Sequence, residues 1–188
     1  MFRDLVLGNR SCRRYQPVEI KRETLVELVD LARNSASSGN RQALKFILSC
    51  ETEKNATVFA TLSWAAALRP WPGPAEGERP SGYIVVLGDT KITQSFGCDH
   101  GIAAQTILLG AREKGLAGCM LGAIKKDVLR QSLNIPEHLE ILLVIALGKQ
   151  GEKIVLEKMP ESGDHRYWRD EGGVHHVPKR SLEDIIIG

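Results

Sequence analysis

Long apolar runs, targeting signals and an excess of one charge are all missing from this 188-residue chain. The longest apolar run, Ile141 to Leu147, has the length of a strand and is too short to cross a bilayer. The first residues contain no apolar region of signal-peptide length, which favours a cytoplasmic protein. A formal net charge of +2 implies no concentrated basic face, so we expect no nucleic-acid partner.

Motifs for metal and redox chemistry are also missing. The four cysteines are scattered along the sequence: Cys12, Cys50, Cys98 and Cys119. None belongs to a Cys-x-x-Cys pair, which argues against a zinc knuckle or a thioredoxin-like motif and favours packed, reduced thiols. His165, His175 and His176 lack the spacing of a metal site, so we predict no metal.

Three common catalytic or nucleotide-binding fingerprints cannot be found. No Gly-x-Gly-x-x-Gly follows a strand, and no Gly-x-x-x-x-Gly-Lys-Ser/Thr occurs, which argues against dinucleotide-binding and P-loop sites. Gly-x-Ser-x-Gly is absent as well, so the usual hydrolase nucleophile turn is not expected.

Hydrophobic periodicity predicts alternating helices and strands. Helices are expected over residues 20–33, 53–69, 99–114 and 125–133, strands over 45–50, 83–87 and 141–147, an apolar glycine-flanked segment over 116–121, and a proline-rich loop over 70–80. This alternation predicts one domain over residues 1–188 with a layered α/β or α+β fold.

The chain ends in an apolar segment, Ile185 to Ile187, after a long polar stretch. Three isoleucines at a free end need burial, and a strand that arrives last must find a sheet edge. That edge can belong to another subunit, through strand addition.

Two polar segments near the N-terminus are candidate ligand-binding sites. Arg10 and Arg13 flank Ser11, and guanidinium groups offer forked donors to a phosphate. Residues 35–42 form a run of small and amide side chains that lets backbone donors approach a flat ligand. Each segment alone is weak evidence, because basic runs are usually solvated faces and many small-residue loops are ordinary turns.

Together with later segments, these motifs resemble the FMN-dependent nitroreductase family over nearly the full chain. The matching segments are Arg10-Ser11-Cys12-Arg13-Arg14-Tyr15, residues 36–43, Asp99-x-Gly101, Lys114-Gly115-Leu116, residues 118–122, Ala146-Leu147-Gly148 and Val177-Pro178-Lys179-Arg180. Two family prolines are replaced here, by Ala36 and Ala43. The chain is also short for the family and lacks the helical insertion that covers the flavin in longer members.

The resemblance implies an α+β fold with a central mixed, mostly antiparallel sheet flanked by helices. It also implies a homodimer with the C-terminal strand extending onto the partner, and non-covalently bound FMN at the dimer interface. The residues that it assigns to FMN are Arg10, Ser11, Arg13, Lys179 and Arg180 at the phosphate, Ser37, Ser38, Asn40 and Gln42 at the ring edge and ribityl chain, and Gly118, Cys119, Met120 and Leu121 near the reactive ring nitrogen.

The resemblance further implies that NADH or NADPH reduces the flavin, which then reduces a small acceptor such as a nitroaromatic or a quinone. In this two-step exchange the chemistry belongs to the cofactor, so no catalytic side chain is predicted. Three alternatives stay open: a flavin store or sensor without turnover, a family member that acts on the flavin itself, and a soluble domain without a cofactor.

Overall fold

The fold is built on a central sheet with helices on both of its faces. The computed structural model describes residues 1–68 and 70–188, and in that part of the chain it contains five α-helices and eight strands. The helices are α1 (Phe2–Gly8), α2 (Arg22–Arg33), α3 (Thr52–Phe59), α4 (Asp99–Glu113) and α5 (Lys126–Ser132). The strands are β1 (Tyr15–Gln16), β2 (Leu44–Ser49), β3 (Gly82–Asp89), β4 (Ala117–Leu121), β5 (Leu139–Gln150), β6 (Ile154–Lys158), β7 (Trp168–Arg169) and β8 (His175–Lys179).

The central sheet runs in the order β2-β3-β5, and both β4 and β1 pair along the far edge of β5. Every strand pair in it is antiparallel. Strand β5 is paired along both of its edges and lies at the centre of the sheet. Its continuous apolar run suits this position, because helices cover both faces of the strand.

Alternate residues of β3 show how the two layers form. Ile84 and Val86 pack against the helices α2 and α4, whereas Val85 and Leu87 pack against α3 and α5. Successive side chains of a strand point to opposite faces, so an unbroken apolar run serves both layers. The layered α+β class with a mostly antiparallel sheet is therefore confirmed.

The predicted helix over residues 53–69 is wrong in its length. Helix α3 ends at Phe59, and a short 3-10 turn occupies Ala66–Leu68, while residue 69 lies outside the described residues. The chain leaves the helix because Leu62 forms a β-bridge with Ile124, and the N–H of Ser63 donates to the carbonyl of Ala123 at 2.9 Å. These tertiary hydrogen bonds replace the next helical turn.

A second sheet lies in the stretch that the sequence presents only as polar. Its order is β6-β8-β7, with β6 parallel and β7 antiparallel to β8. These strands are half exposed, so their hydrophobic pattern is too weak to predict them. The apolar segment noted at residues 116–121, by contrast, contains strand β4.

The apolar C-terminus forms no strand within this single chain, where residues 182–185 make a turn. Ile185, Ile186 and Ile187 are 58%, 62% and 99% exposed. Their docking on a partner subunit stays a prediction. In the described residues, no helix combines the length and the apolarity needed to traverse a lipid bilayer.

Candidate functional site

A cleft of about 360 Å³ lies between the loop after α1, the middle of α4 and strand β8. Three cationic side chains line it, Arg10, Arg13 and Lys179, and no carboxylate among the described residues does. We call this the clamp cleft. Its lining joins residues from both ends of the sequence, as predicted, and its charge suits an anion.

Arg10 is fixed by the end of the first helix. Its Nη2 donates to the carbonyl of Val6 at 2.8 Å, in the last turn of α1, where carbonyl groups lack helical partners. Its Nε is buried and has no hydrogen-bond partner in the described part of the chain. Burial lowers the pKa of Arg10, but a guanidinium stays charged in proteins. A buried donor without a partner is the feature expected where a ligand binds.

The adjacent arginines diverge. The guanidinium of Arg13 lies 4.6 Å from the ring centroid of Tyr167, inside the clamp cleft. Arg14 instead lies 3.5 Å from the carboxylate of Glu78 and lines a separate cavity beside Trp71. Only the first of the two belongs to the clamp cleft.

Strand β4 supports residues 9–14, the segment between α1 and β1 that we call the arginine loop. The N–H of Cys12 donates to the carbonyl of Gly118 at 3.0 Å, and the buried Tyr15 hydroxyl donates to the carbonyl of Cys12. Met120 lines the cleft, whereas Cys119 and Leu121 are buried in the core. Any role of those two residues toward a ligand therefore falls to their backbone, and burial raises the pKa of the Cys119 thiol.

Strand β8 supplies the opposite wall. Its alternate residues His175, Val177 and Lys179 line the clamp cleft, as the period of a strand requires. Arg180 lies just past the strand, is exposed and does not line the cleft. His175 is 1% exposed, and neither of its ring nitrogens has a hydrogen-bond partner within the described residues.

Sequence reasoning missed Glu152, which lies beneath the clamp cleft. Its Oε1 accepts from the N–H groups of Arg13 at 2.5 Å and Arg14 at 3.1 Å, and its Oε2 accepts from Arg169 at 2.7 Å. Burial opposes its ionisation, but the contacts with His175, the Arg13 backbone and Arg169 outweigh burial and lower the pKa of Glu152 to about 2. In the sequence it is only an acidic residue after an apolar run, which is typical of a surface loop.

The small-residue loop, residues 35–42, lines a different cleft of about 150 Å³ together with the start of α4, and we call this the loop cleft. Ser37 and Gln42 face this cleft, and the buried Asp99 accepts from the N–H of Ser38 at 2.9 Å. Gly39, Asn40 and Gln42 have φ values of 57°, 53° and 52°, in the left-handed region. Such strain in two non-glycine residues is common at ligand-binding loops.

The two clefts lie on different sides of helix α4. Asp99 and Ala103 border the loop cleft, whereas Gln105 and Leu108 border the clamp cleft. One chain thus collects the predicted phosphate-binding residues Arg10, Ser11, Arg13 and Lys179 in one cavity. It does not bring the residues 37–42 into that same cavity.

The clamp cleft fits the phosphate that the resemblance implies. Three cations converge without an opposing carboxylate in the described lining, and a buried guanidinium nitrogen of Arg10 lacks a partner. Arginine and lysine donors are the usual partners of phosphate oxygens. The residues present therefore fit an FMN phosphate.

The chain is similar to known proteins over most of its length. A "Putative NADH dehydrogenase/NAD(P)H nitroreductase" of Archaeoglobus fulgidus is 26% identical over 152 residues, covering 77% of this chain and 82% of that protein. The crystal structure of a nitroreductase family protein from Clostridium difficile 630 has a TM-score of 0.68 at 22% identity, covering 98% of this chain and 95% of the other.

A protein from Exiguobacterium sibiricum 255-15, solved in complex with FMN, has a TM-score of 0.69 at 19% identity, covering 81% of this chain and 89% of the other. At such identities these two structures establish a shared fold. The family itself is established by sequence, because the sequence model of the nitroreductase family matches residues 6–149. On this match over most of its length, the chain belongs to the nitroreductase family.

Proposed function

We propose that this protein is an FMN-dependent oxidoreductase that uses NADH or NADPH to reduce a small acceptor such as a nitroaromatic or a quinone. The observation that carries the proposal is the clamp cleft, in which Arg10, Arg13 and Lys179 converge. Family membership and the FMN complex of a structural neighbour support the choice of cofactor.

In this proposal the clamp cleft binds the FMN phosphate. Arg10, Arg13 and Lys179 supply cationic donors, and the Ser11 hydroxyl adds a neutral one. Arg180, just past strand β8, is a further candidate donor. Bound FMN would supply the redox chemistry, a two-electron transfer from NAD(P)H to the acceptor.

The protein's own contribution is binding and orientation. Met120, near the end of strand β4, lines the cleft, and we propose that the backbone around it donates to a bound flavin ring. Fixed backbone donors stabilise negative charge that develops on a bound ring, because they need no reorganisation during the reaction. No side chain is required as a nucleophile or as a general acid or base.

We further propose a homodimer that combines the two clefts. One chain leaves residues 37–42 and the clamp cleft on separate sides of α4. A second subunit can bring its own loop to the clamp cleft, so that each FMN is bound by both chains. The exposed isoleucines 185–187 supply apolar surface for such an assembly.

The test is to purify the protein, record its flavin absorbance, and identify the released cofactor by chromatography after heating. We expect FMN rather than FAD, and oxidation of NADH or NADPH that depends on an added quinone or nitroaromatic. Bound FMN without turnover would favour a flavin store or sensor. No flavin even after reconstitution with FMN would overturn the proposal.

A further inference from the structure

We propose that Glu152 is a positioning residue of the clamp cleft, which holds the arginine loop and strand β8 together in the geometry that binds an anion. This inference rests on the proposed FMN site and adds to it a residue that does not touch the ligand. Glu152 is not part of the cleft lining, and its side chain is only 1% exposed.

One oxygen of the Glu152 carboxylate contacts the arginine loop. Oε1 of Glu152 accepts two backbone hydrogen bonds, from Arg13 at 2.5 Å and from Arg14 at 3.1 Å. These residues are 139 and 138 positions away in the sequence. Two N–H groups on one oxygen fix the backbone at Arg13, and hence the direction in which its side chain leaves the loop.

The other oxygen contacts the second sheet, formed by β6, β8 and β7. Oε2 accepts from Nη2 of Arg169 at 2.7 Å and from its Nε at 3.2 Å. The same oxygen lies 3.6 Å from Nδ1 of His175, the residue that begins the cleft-lining face of β8. One carboxylate therefore bridges the two walls of the cleft, one carrying Arg13 and the other Lys179.

The charge of Glu152 is compensated where it lies. A carboxylate near an anion site would repel the anion, but Arg169 binds this one in a two-pronged ion pair, and two N–H groups share its other oxygen. Charged groups inside a protein are stable only when paired and hydrogen-bonded in this way. The pair leaves the cationic character of the cleft intact.

Two roles of Glu152 predict opposite effects on FMN binding. If only its charge matters, its removal leaves Arg169 uncompensated and strengthens the binding of an anion. If the carboxylate positions the clamp, its removal weakens that binding. Glu152→Gln separates the two because a carboxamide has a single acceptor oxygen and cannot serve both the arginine loop and Arg169.

The experiment titrates the apoprotein with FMN and with riboflavin, which lacks the phosphate, by flavin fluorescence. For Glu152→Gln we expect FMN affinity to fall about 10- to 100-fold. Losses of this size are typical when a residue that orients ligand-binding groups is removed, as at metal sites. Riboflavin affinity should change less than about 2-fold, a difference below the energy of one hydrogen bond. The matched control is Glu157→Gln, which breaks the contact between β6 and His176, away from the cleft lining, and should change neither affinity.

Unchanged or tighter FMN binding by Glu152→Gln would overturn the inference, and so would equal losses for FMN and riboflavin, which indicate a general structural role. If Glu152→Gln does not fold, Glu152→Asp keeps the charge on a shorter stem and should still lose FMN affinity selectively. If the wild-type protein binds riboflavin as tightly as FMN, the phosphate contributes nothing and the proposed FMN site itself is wrong. That result concerns the wild-type protein, so it can be told apart from a failure of the Glu152 inference, which appears only in the variants.

Discussion

Arg13 and Arg14 are consecutive in sequence, yet only the first lines the clamp cleft. We expect Arg13→Ala to weaken FMN binding by about 10- to 150-fold, because a charge-assisted contact to phosphate contributes about 1.5–3 kcal/mol. Flavin titration measures the loss, and circular dichroism checks the fold. Arg14→Ala is the matched control, since its side chain lies beside Glu78 and Trp71. Equal losses in the two variants would contradict this assignment.

Glu152 also predicts how stability depends on pH. Its pKa in the folded protein is about 2, below the ordinary value of 4.5. The folded state therefore binds the proton more weakly than the unfolded state, and the stabilisation is complete above about pH 5 and lost between about pH 5 and pH 2. The shift corresponds to roughly 3 kcal/mol.

The check is denaturant unfolding of the apoprotein at a series of pH values. Wild-type protein should lose more unfolding free energy between about pH 5 and pH 2 than Glu152→Gln does. Parallel pH curves for the two proteins would show that Glu152 does not contribute in this way.

At the residue scale, sequence motifs predicted residues that line the clamp cleft better than the residue that supports them from beneath. Arg10 and Arg13 stand out only together with the later motifs of the family resemblance, and the cleft does collect them with Lys179. Glu152 has no local signal, because its partners are the backbone of the distant arginine loop and a side chain of β7. Only the tertiary fold brings these groups together.

At the scale of elements, helix α4 anchors the strained loop. Asp99, in its first turn, is 5% exposed and accepts from the N–H of Ser38. Asp99→Ala leaves that N–H without its acceptor, so we expect the free energy of unfolding to fall by about 1–3 kcal/mol. Thermal unfolding measures the change. The control is Asp127→Ala, in the exposed first turn of α5. An equally small loss of unfolding free energy in the Asp99 and Asp127 variants would mean that Asp99 does not anchor the loop.

Elements with a continuous apolar pattern could be predicted, and elements set by tertiary pairing could not. Strands β3 and β5 are buried on both faces, so their sequences are unbroken apolar runs. The second sheet lacks such a run because its strands are half exposed to solvent. The helix predicted to extend to residue 69 ends at Phe59 because Leu62 pairs with Ile124, a residue distant in sequence.

The whole molecule divides its predicted cofactor site between two clefts, and this division is the strongest structural argument for a dimer. The predicted phosphate residues line one cleft and Ser37 and Gln42 line the other. A ligand that contacts both sets needs a second chain, so assembly and cofactor binding should depend on each other. Adding FMN should accordingly shift the apoprotein towards the dimer in sedimentation measurements, and an FMN-loaded monomer would contradict the shared site.

The C-terminal segment provides the sharpest test of that assembly. Leu182 is 68% exposed in the single chain, and the isoleucines 185–187 are also exposed. Burying one such side chain stabilises by about 1.5–3 kcal/mol, so burying all of them against a partner would be enough to hold the proposed subunit contact. Deleting residues 182–188 should produce more monomer in light scattering and a lower FMN content, because Lys179 and Arg180 lose the segment that follows them. The control is Val128→Asp, which changes an exposed apolar residue elsewhere, on helix α5. It should leave the monomer fraction and the FMN content unchanged. A truncated protein that stays dimeric with full FMN would show that the segment does not join the subunits.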